Sequence, residues 1–186
     1  MQNQRNLTRE LTFSAVLVAF AYVLSMVRVF HLPQGGSVTL FSMLPIAIVA
    51  FLFGGRWGLI AGVSLGIVNL VTNGYVIHPA QLVLDYVLAF GALGAGGFFN
   101  NTKGGLTLVY VIGVVGRCFF STLSGVVFFA SYAEGSGMNP LLYSLVYNGS
   151  YMGAEMVLTI VVINLPPFKN ALIRAKESYG NAPAKA

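Results

Sequence analysis

AQLVLDYVLAFGALGAGGFF, residues Ala80 to Phe99, is an apolar stretch that carries a single charged side chain, Asp85. About 20 apolar residues are enough to cross the hydrocarbon core of a bilayer as an α-helix. A carboxylate inside such a stretch is costly, so an intramembrane Asp marks a candidate functional site. The stretch therefore predicts both a membrane-spanning helix and a binding residue on it.

The composition of the whole chain agrees with a membrane setting. Of its 186 residues, 56% are hydrophobic and 8% are charged, and the mean hydropathy is +0.79, whereas an average soluble domain has about 25% charged residues. The apolar segments are continuous, which favours helices over the alternating strands of a membrane barrel. We predict an all-α integral membrane protein, a single domain (1–186) built as a six-transmembrane-helix bundle. The predicted helices cover about residues 11–30, 39–53, 57–72, 80–99, 106–132 and 140–165.

Basic residues orient the predicted bundle. They lie on the amino terminus, on the even-numbered connections and on a basic carboxyl tail (168–186), so the positive-inside rule places both termini in the cytoplasm. The first segment is too long for a signal-peptide core, and we expect it to be retained. The formal charge of +5 is then cytoplasmic anchoring against lipid headgroups, with no nucleic-acid partner. The residues concerned are Arg5, Arg9, Arg56, Lys103, Lys169, Arg174, Lys176 and Lys185.

Motifs for catalysis are missing from the sequence. No G-x-x-x-x-G-K-[ST] motif for ATP is present, and the two histidines, His31 and His78, lack metal-ligand spacing. The single cysteine, Cys118, excludes an internal disulfide. We therefore predict a protein that is not an enzyme and needs no cofactor or metal.

The depth of the remaining intramembrane charges separates them into two groups. Arg117 and Glu155 fall near the middle of adjacent antiparallel segments, given a rise of about 1.5 Å per residue, and we predict that they form a structural ion pair. Asp85 falls nearer the outer surface and has no obvious protein cation. It is either satisfied by hydroxyls or protonated, or it is the counter-ion of a cationic or amine-bearing ligand, which we favour because unpaired charge in lipid must be compensated.

Other polar and aromatic residues fall at the level of Asp85. Tyr86 follows it directly, and Tyr143 and Asn148 lie in the first turns of the last segment. Tyrosines at this level are also typical interface anchors, and an intramembrane Asn also joins helices. Phe129 offers a stacking face for a flat ring, unless it only packs.

Several motifs together resemble the thiamine-specific substrate-binding (S) component family of energy-coupling factor transporters, over nearly the full chain. The resemblance implies a vitamin-capture subunit of a bacterial plasma membrane that associates with a transmembrane coupling subunit and two cytoplasmic ATPases. Ala15 and Ala19 match the A-x-x-x-A surface with which that family contacts its coupling subunit. The motifs are His31-Leu-Pro-Gln-Gly-Gly-Ser-Val-Thr-Leu40, Ser42-Met-Leu-Pro45, Asp85-Tyr86, Arg117 through Ser124-Gly125, and Tyr143-Ser-Leu-Val-Tyr-Asn-Gly-Ser-Tyr151.

The chain departs from the family pattern at three ligand-binding positions. Asp85 stands where the family typically has a glutamate, Ser121 replaces its histidine, and Phe129 replaces its stacking tryptophan. Tyr143 and Asn148 keep the family spacing. The resemblance thus implies a pocket of Asp85, Tyr86, Ser121, Phe129, Tyr143 and Asn148.

The ligand and the energy source are both left open. Because Ser121 and Phe129 offer less ring surface, a single-ring ligand such as hydroxymethylpyrimidine or pyridoxine stands beside thiamine. An independent proton-coupled carrier using Asp85 or Glu155, and a structural membrane protein without a ligand, are the alternatives to the ATP-driven importer.

Overall fold

The structure is a computed structural model that describes residues 2–31 and 36–180. Within these ranges, five helices are long and apolar enough to cross a membrane. The predicted helical membrane bundle is confirmed, whereas the count of six crossings and the side on which the termini lie stay predictions. The elements are α1 (Gln2–Met26), β1 (Arg28–His31), β2 (Ser37–Thr39), α2 (Leu44–Phe53), α3 (Gly55–Asn73), α4 (Pro79–Leu82), a π-helical turn (Val83–Leu88), α5 (Ala89–Ala95), two 3-10 turns (Gly96–Phe99 and Ala130–Ala133), α6 (Gly105–Phe128), α7 (Pro140–Asn164) and α8 (Pro166–Gly180).

The first predicted helix ends four residues earlier than expected, at Met26 and not at residue 30, and the second begins five residues later, at Leu44 and not at residue 39, because a β-hairpin separates them. The first helix ends at Met26, and Arg28 pairs with Thr39 in an antiparallel ladder. The second helix begins only at Leu44, with a proline in its first turn. Ten residues of helix span about 15 Å, half of a bilayer core. β2 packs against α7 and α1, whereas all four residues of β1 are exposed. Residues 32–35, which include most of the Pro-Gln-Gly-Gly motif, are outside the described part of the chain.

Glycines bring α3 unusually close to the segment that carries Asp85. A methyl group built on Gly62 would lie 2.2 Å from the carbonyl oxygen of Phe90, and one on Gly58 would lie 2.6 Å from that of Gly94. Both distances are shorter than van der Waals contact, so only glycine permits this separation. These glycines thus pack α3 directly against the Pro79–Phe99 segment.

The basic carboxyl tail is helical as far as Gly180, a helix that the sequence analysis did not include. Consecutive prolines end α7 at Asn164, but proline is tolerated in the first turn of a helix, and α8 begins at Pro166. The rings of Phe13, Phe53 and Tyr179 meet at centroid distances of 5.0 to 5.7 Å. This cluster packs α8 against α1 and α2. Lys185 and the other residues after Gly180 are outside the described part of the chain.

Candidate functional site

A cavity of about 610 Å³ lies between α3, the π-helical turn, α6 and α7. It is larger than needed for a single ring and falls within the usual range for small-molecule sites. All six residues predicted to bind a ligand line it. They are Asp85, Tyr86, Ser121, Phe129, Tyr143 and Asn148.

The carboxylate of Asp85 is held on the π-helical turn. A π turn inserts an extra residue into a helix and often marks a functional site. The Gln81 side-chain amide, one turn earlier, donates a 2.6 Å hydrogen bond from Nε2 to Oδ2 of Asp85. Among the described residues, Gln81 makes the one well-formed hydrogen bond to this carboxylate, and the buried Ser124 hydroxyl, which has no hydrogen-bond partner elsewhere, lies beside it.

Aromatic rings form much of the cavity wall. Tyr143, Tyr147 and Tyr151 follow one another at intervals of four on α7 and so share one helix face. The first two rings are stacked with centroids 6.4 Å apart, and the third meets Tyr147 edge-on at 5.8 Å. Opposite chain segments add Phe129 and Tyr75, whose rings lie 6.4 Å apart. Such walls suit a flat ring or a cation.

Asn148 is buried, and it is bonded within its own helix. Its Nδ2 donates to the Ser144 carbonyl at 3.0 Å, and its Oδ1 accepts from the Tyr151 hydroxyl at 3.0 Å. The side chain therefore does not link two helices, and one amide hydrogen is left for a ligand.

The direct ion pair predicted between Arg117 and Glu155 does not form among the described residues. Arg117 instead places its guanidinium carbon 4.3 Å from the centroid of the Phe90 ring, and its Nε is buried without a hydrogen-bond partner. Arg117 also lines the cavity. It is therefore part of the candidate site, whereas the sequence predicted only a structural role for it.

Glu155 binds the segment that follows β2. Its carboxylate accepts hydrogen bonds from the Thr39 hydroxyl at 2.6 Å, the Ser42 hydroxyl at 3.2 Å and the Met43 backbone N–H at 3.2 Å. The late start of α2 brings these donors to the middle of α7, where they replace Arg117 as partners. Glu155 and Arg117 do line a second cavity of about 480 Å³, which shares Arg117 and Tyr151 with the first.

Several cavity residues were not predicted from the sequence. Tyr75 lies in the connection between α3 and α4, where no helical periodicity indicates which way a side chain points. Tyr132 was predicted at the end of the helix 106–132, but α6 ends at Phe128 and Tyr132 lies in the following 3-10 turn. Asn69 and Asn73 lie on α3 four residues apart, a spacing that would have indicated a shared polar face. All four line the main cavity.

A separate groove lies on the outside of the bundle between α1 and α3. Ala15 and Ala19 line it together with Ile60 and Ala61, and its volume is about 480 Å³. Both alanines are exposed. Their small side chains leave the backbone of α1 open to close approach by another helix.

Comparison with known proteins agrees with the motifs. The family described as "Thiamine transporter protein (Thia_YuaJ)" matches residues 11–174. A protein of Bacillus subtilis (strain 168) named "Thiamine transporter ThiT" is 36% identical over 167 residues, covering 81% of this chain and 86% of that protein. A protein of the same name from Lacticaseibacillus paracasei is 31% identical over 174 residues, covering 82% of this chain and 83% of that protein.

A solved structure shows the same fold. It is described as "Native-SAD phasing for ThiT from Listeria monocytogenes serovar", and it superposes with a TM-score of 0.74 at 24% sequence identity, covering 92% of this chain and 97% of that one. With the match over 11–174 and two bacterial relatives above 30% identity, the resemblance drawn from the sequence motifs is confirmed. The chain therefore belongs to the thiamine transporter protein (Thia_YuaJ) family of multi-pass bacterial membrane proteins, whose role is transport and not catalysis.

Proposed function

We propose that this chain captures thiamine from the outer side of the membrane in the 610 Å³ cavity, as the substrate-binding subunit of an ATP-driven importer of the energy-coupling factor class. The main support for this proposal is that all six residues predicted to bind the ligand, Asp85 among them, line one cavity. The names of the two relatives support thiamine as the ligand.

The chemistry of thiamine suits this cavity. Thiamine carries a permanently positive thiazolium ring and an aminopyrimidine ring, so it presents both a cation and an exocyclic amine. Asp85 supplies a counter-charge and a strong acceptor. The faces of Tyr143 and Tyr147 supply stacking and cation–π attraction, and Asn148 retains a donor for a ring nitrogen.

The size of the cavity favours a two-ring ligand over a single-ring one. Ser121 and Phe129 reduce ring area where the family has histidine and tryptophan, and this argued for hydroxymethylpyrimidine or pyridoxine. Tyr75 and Tyr132, contributed by connections, restore ring surface on the same cavity. A ligand that uses both sides of the cavity gains more buried apolar area, so thiamine is the preferred ligand.

Calorimetric titration of the purified chain tests the ligand. Thiamine, hydroxymethylpyrimidine and pyridoxine are titrated separately into the chain in detergent. We expect thiamine to bind most tightly. Tighter binding of a single-ring compound would identify that compound as the ligand. If none of the three binds, the proposal of vitamin capture is contradicted.

The contacts of Glu155 favour an importer driven by partner ATPases over an independent proton-coupled carrier. Three donors hold its carboxylate against the end of β2 and the start of α2, an arrangement that fits a fixed structural contact better than a group that changes its partners in each transport cycle. The exposed Ala15 and Ala19 groove supports a membrane-embedded coupling subunit as the partner, with two cytoplasmic ATPases attached to it.

Reconstitution separates these two energy sources. The chain alone, in vesicles with an imposed pH gradient, should not accumulate labelled thiamine. Copurification from the native membrane should bring down a coupling subunit and ATPases. Accumulation driven by the gradient alone would establish the carrier instead.

A further inference from the structure

Gln81 is a buried amide behind the wall of the main cavity. Only 2% of its surface is exposed, and it does not line the cavity. A polar side chain in an apolar segment is costly unless its hydrogen bonds are made. The bonds that Gln81 makes therefore indicate what it does.

Three hydrogen bonds fix the orientation of this amide. Its Nε2 donates to Oδ2 of Asp85 at 2.6 Å and to the carbonyl of Tyr75 at 3.2 Å, and its Oε1 accepts from the backbone N–H of Ile77 at 3.3 Å. Carboxylate and carbonyl oxygens only accept, and a backbone N–H only donates. Only one orientation of the amide satisfies all three partners, so Gln81 has no freedom to turn.

The same bonds join two parts of the cavity wall. The segment from Tyr75 to Ile77 connects α3 to α4, and Gln81 binds it at both ends. The Tyr75 backbone N–H also donates to the Tyr86 hydroxyl at 3.0 Å. The donor that holds Asp85 is thus fixed to a connection that is itself fixed to the π-helical turn.

We propose that Gln81 is a positioning residue for ligand recognition, which acts by holding Oδ2 of Asp85 so that the other carboxylate oxygen faces a cationic or amine-bearing ligand. This inference rests on the proposed function, because it assumes that the ligand occupies the main cavity. Gln81 itself does not contact the ligand. Its contribution is the orientation of a charge-assisted contact, which is strongly directional.

A double-mutant cycle tests whether Gln81 acts through Asp85. Gln81→Met keeps the length of the side chain and removes its hydrogen bonds. In the wild-type background, we expect it to weaken thiamine binding by roughly tenfold or more, as expected for a lost bond to a charged group. In the Asp85→Ala background it should weaken binding by less than about threefold, because the group it positions is already gone.

A pH series with Gln81→Glu gives a second readout. The introduced carboxyl lies at hydrogen-bond distance from Asp85, and two such carboxyls share one proton. Protonated, the introduced group donates to Asp85 as the amide did, and ionised, it repels Asp85. The thiamine affinity of this variant relative to wild type should rise as the pH falls from about 8 to about 6. Because Arg117 on α6, Tyr75 and Tyr86 line the same cavity, the affinity is expressed at each pH as a ratio to wild type.

Gln4→Met is the matched control, since Gln4 is exposed on α1. This variant should bind thiamine as tightly as wild type. Equal losses from Gln81→Met in both backgrounds, or a ratio that does not change with pH for Gln81→Glu, would make Gln81 a merely structural residue. Those results leave wild-type thiamine binding intact. A wild-type chain that does not bind thiamine overturns the proposed function and this inference together.

Discussion

Asp85 is the residue on which recognition should depend most. Its carboxylate lines a cavity to which the described residues contribute one cation, Arg117, and otherwise mostly rings and neutral polar groups. Replacing it by asparagine keeps the shape and removes the charge, so Asp85→Asn should cost about 1.5 to 3 kcal/mol of thiamine binding, roughly 10- to 100-fold. Phe129→Leu, which removes part of one stacking face, should cost about 0.5 to 1.5 kcal/mol.

Calorimetry on both variants measures these losses, with Glu134→Gln as a control for a carboxylate on an exposed connection. A larger loss from Phe129→Leu than from Asp85→Asn would mean that ring contact, and not charge, dominates the site.

Glu155 and Arg117 should differ in their effect on stability, because they do not pair with each other. Glu155→Leu leaves the Met43 backbone N–H without its acceptor and leaves the Thr39 and Ser42 hydroxyls, 2.8 Å apart, only each other as partners, so we expect the free energy of unfolding to fall by about 2 to 3 kcal/mol. Arg117→Met loses a contact with Phe90 worth about 0.5 to 2 kcal/mol. Denaturation of both variants in the same detergent measures the difference. An equal loss of unfolding free energy in both variants would support the ion pair that was predicted from the sequence.

At the scale of single residues, helical spacing indicated which side chains lie on the same cavity, whereas depth in the membrane did not indicate which side chains contact each other; the ligand-binding roles stay predictions. Tyr143 and Asn148 keep a spacing that places them on neighbouring parts of one helix surface, and both line the cavity. The rise per residue determines the level of Arg117 and Glu155 in the membrane but not their direction around the helix axis. Because the second helix was predicted to begin at residue 39, the contacts of Thr39 and Ser42 with Glu155 were not predicted.

At the scale of elements, the close contact of α3 with the segment from Pro79 to Phe99 positions the side of the cavity that carries Asp85. Gly62 faces the carbonyl of Phe90 at a distance that leaves no room for a methyl group. Gly62→Ala should therefore separate the two segments, lower the free energy of unfolding by about 1 to 3 kcal/mol, and weaken thiamine binding because Phe90 and Tyr86 line the cavity.

Gly149→Ala is the matched control for this substitution. Gly149 lies within α7, and a methyl group built on it has no neighbouring atom within 4 Å. It should leave the stability unchanged or raise it by up to about 1 kcal/mol, since alanine favours a helix. Thermal unfolding and thiamine titration of both variants decide, and equal behaviour would show that the contact of α3 does not position the site.

Elements were predictable from the sequence where apolar length alone defines them. The third, fourth and sixth predicted segments agree with α3, the Pro79–Phe99 segment and α7 to within about two residues. The hairpin was not predicted, because Arg28 to His31 continues the apolar run of α1 and differs from it only in pairing with a distant strand. The start of α8 was missed because Pro166 was taken only as a helix end.

For the whole molecule, the surface proposed for ligand capture and the surface proposed for coupling are separate. The ligand cavity is enclosed by α3, the π-helical turn, α6 and α7, whereas Ala15 and Ala19 lie on the outer face of α1 in a groove whose residues do not line that cavity. A change on the groove should therefore affect assembly with a partner and leave the enclosed site undisturbed.

The double variant Ala15→Phe with Ala19→Phe tests this separation. Two phenylalanines would block the close approach of a partner helix, so uptake of labelled thiamine by cells that contain the complete transporter should fall by at least about tenfold. The purified variant should bind thiamine as tightly as wild type.

The matched control is Val157→Phe with Val161→Phe, which has the same spacing on α7, and both of its positions are 60% exposed. The control should keep both activities, because those positions face outward on a helix without a small-residue groove. A parallel loss of binding and uptake in the alanine variant would show that the α1 face belongs to the binding site, and undiminished uptake would show that the partner docks elsewhere.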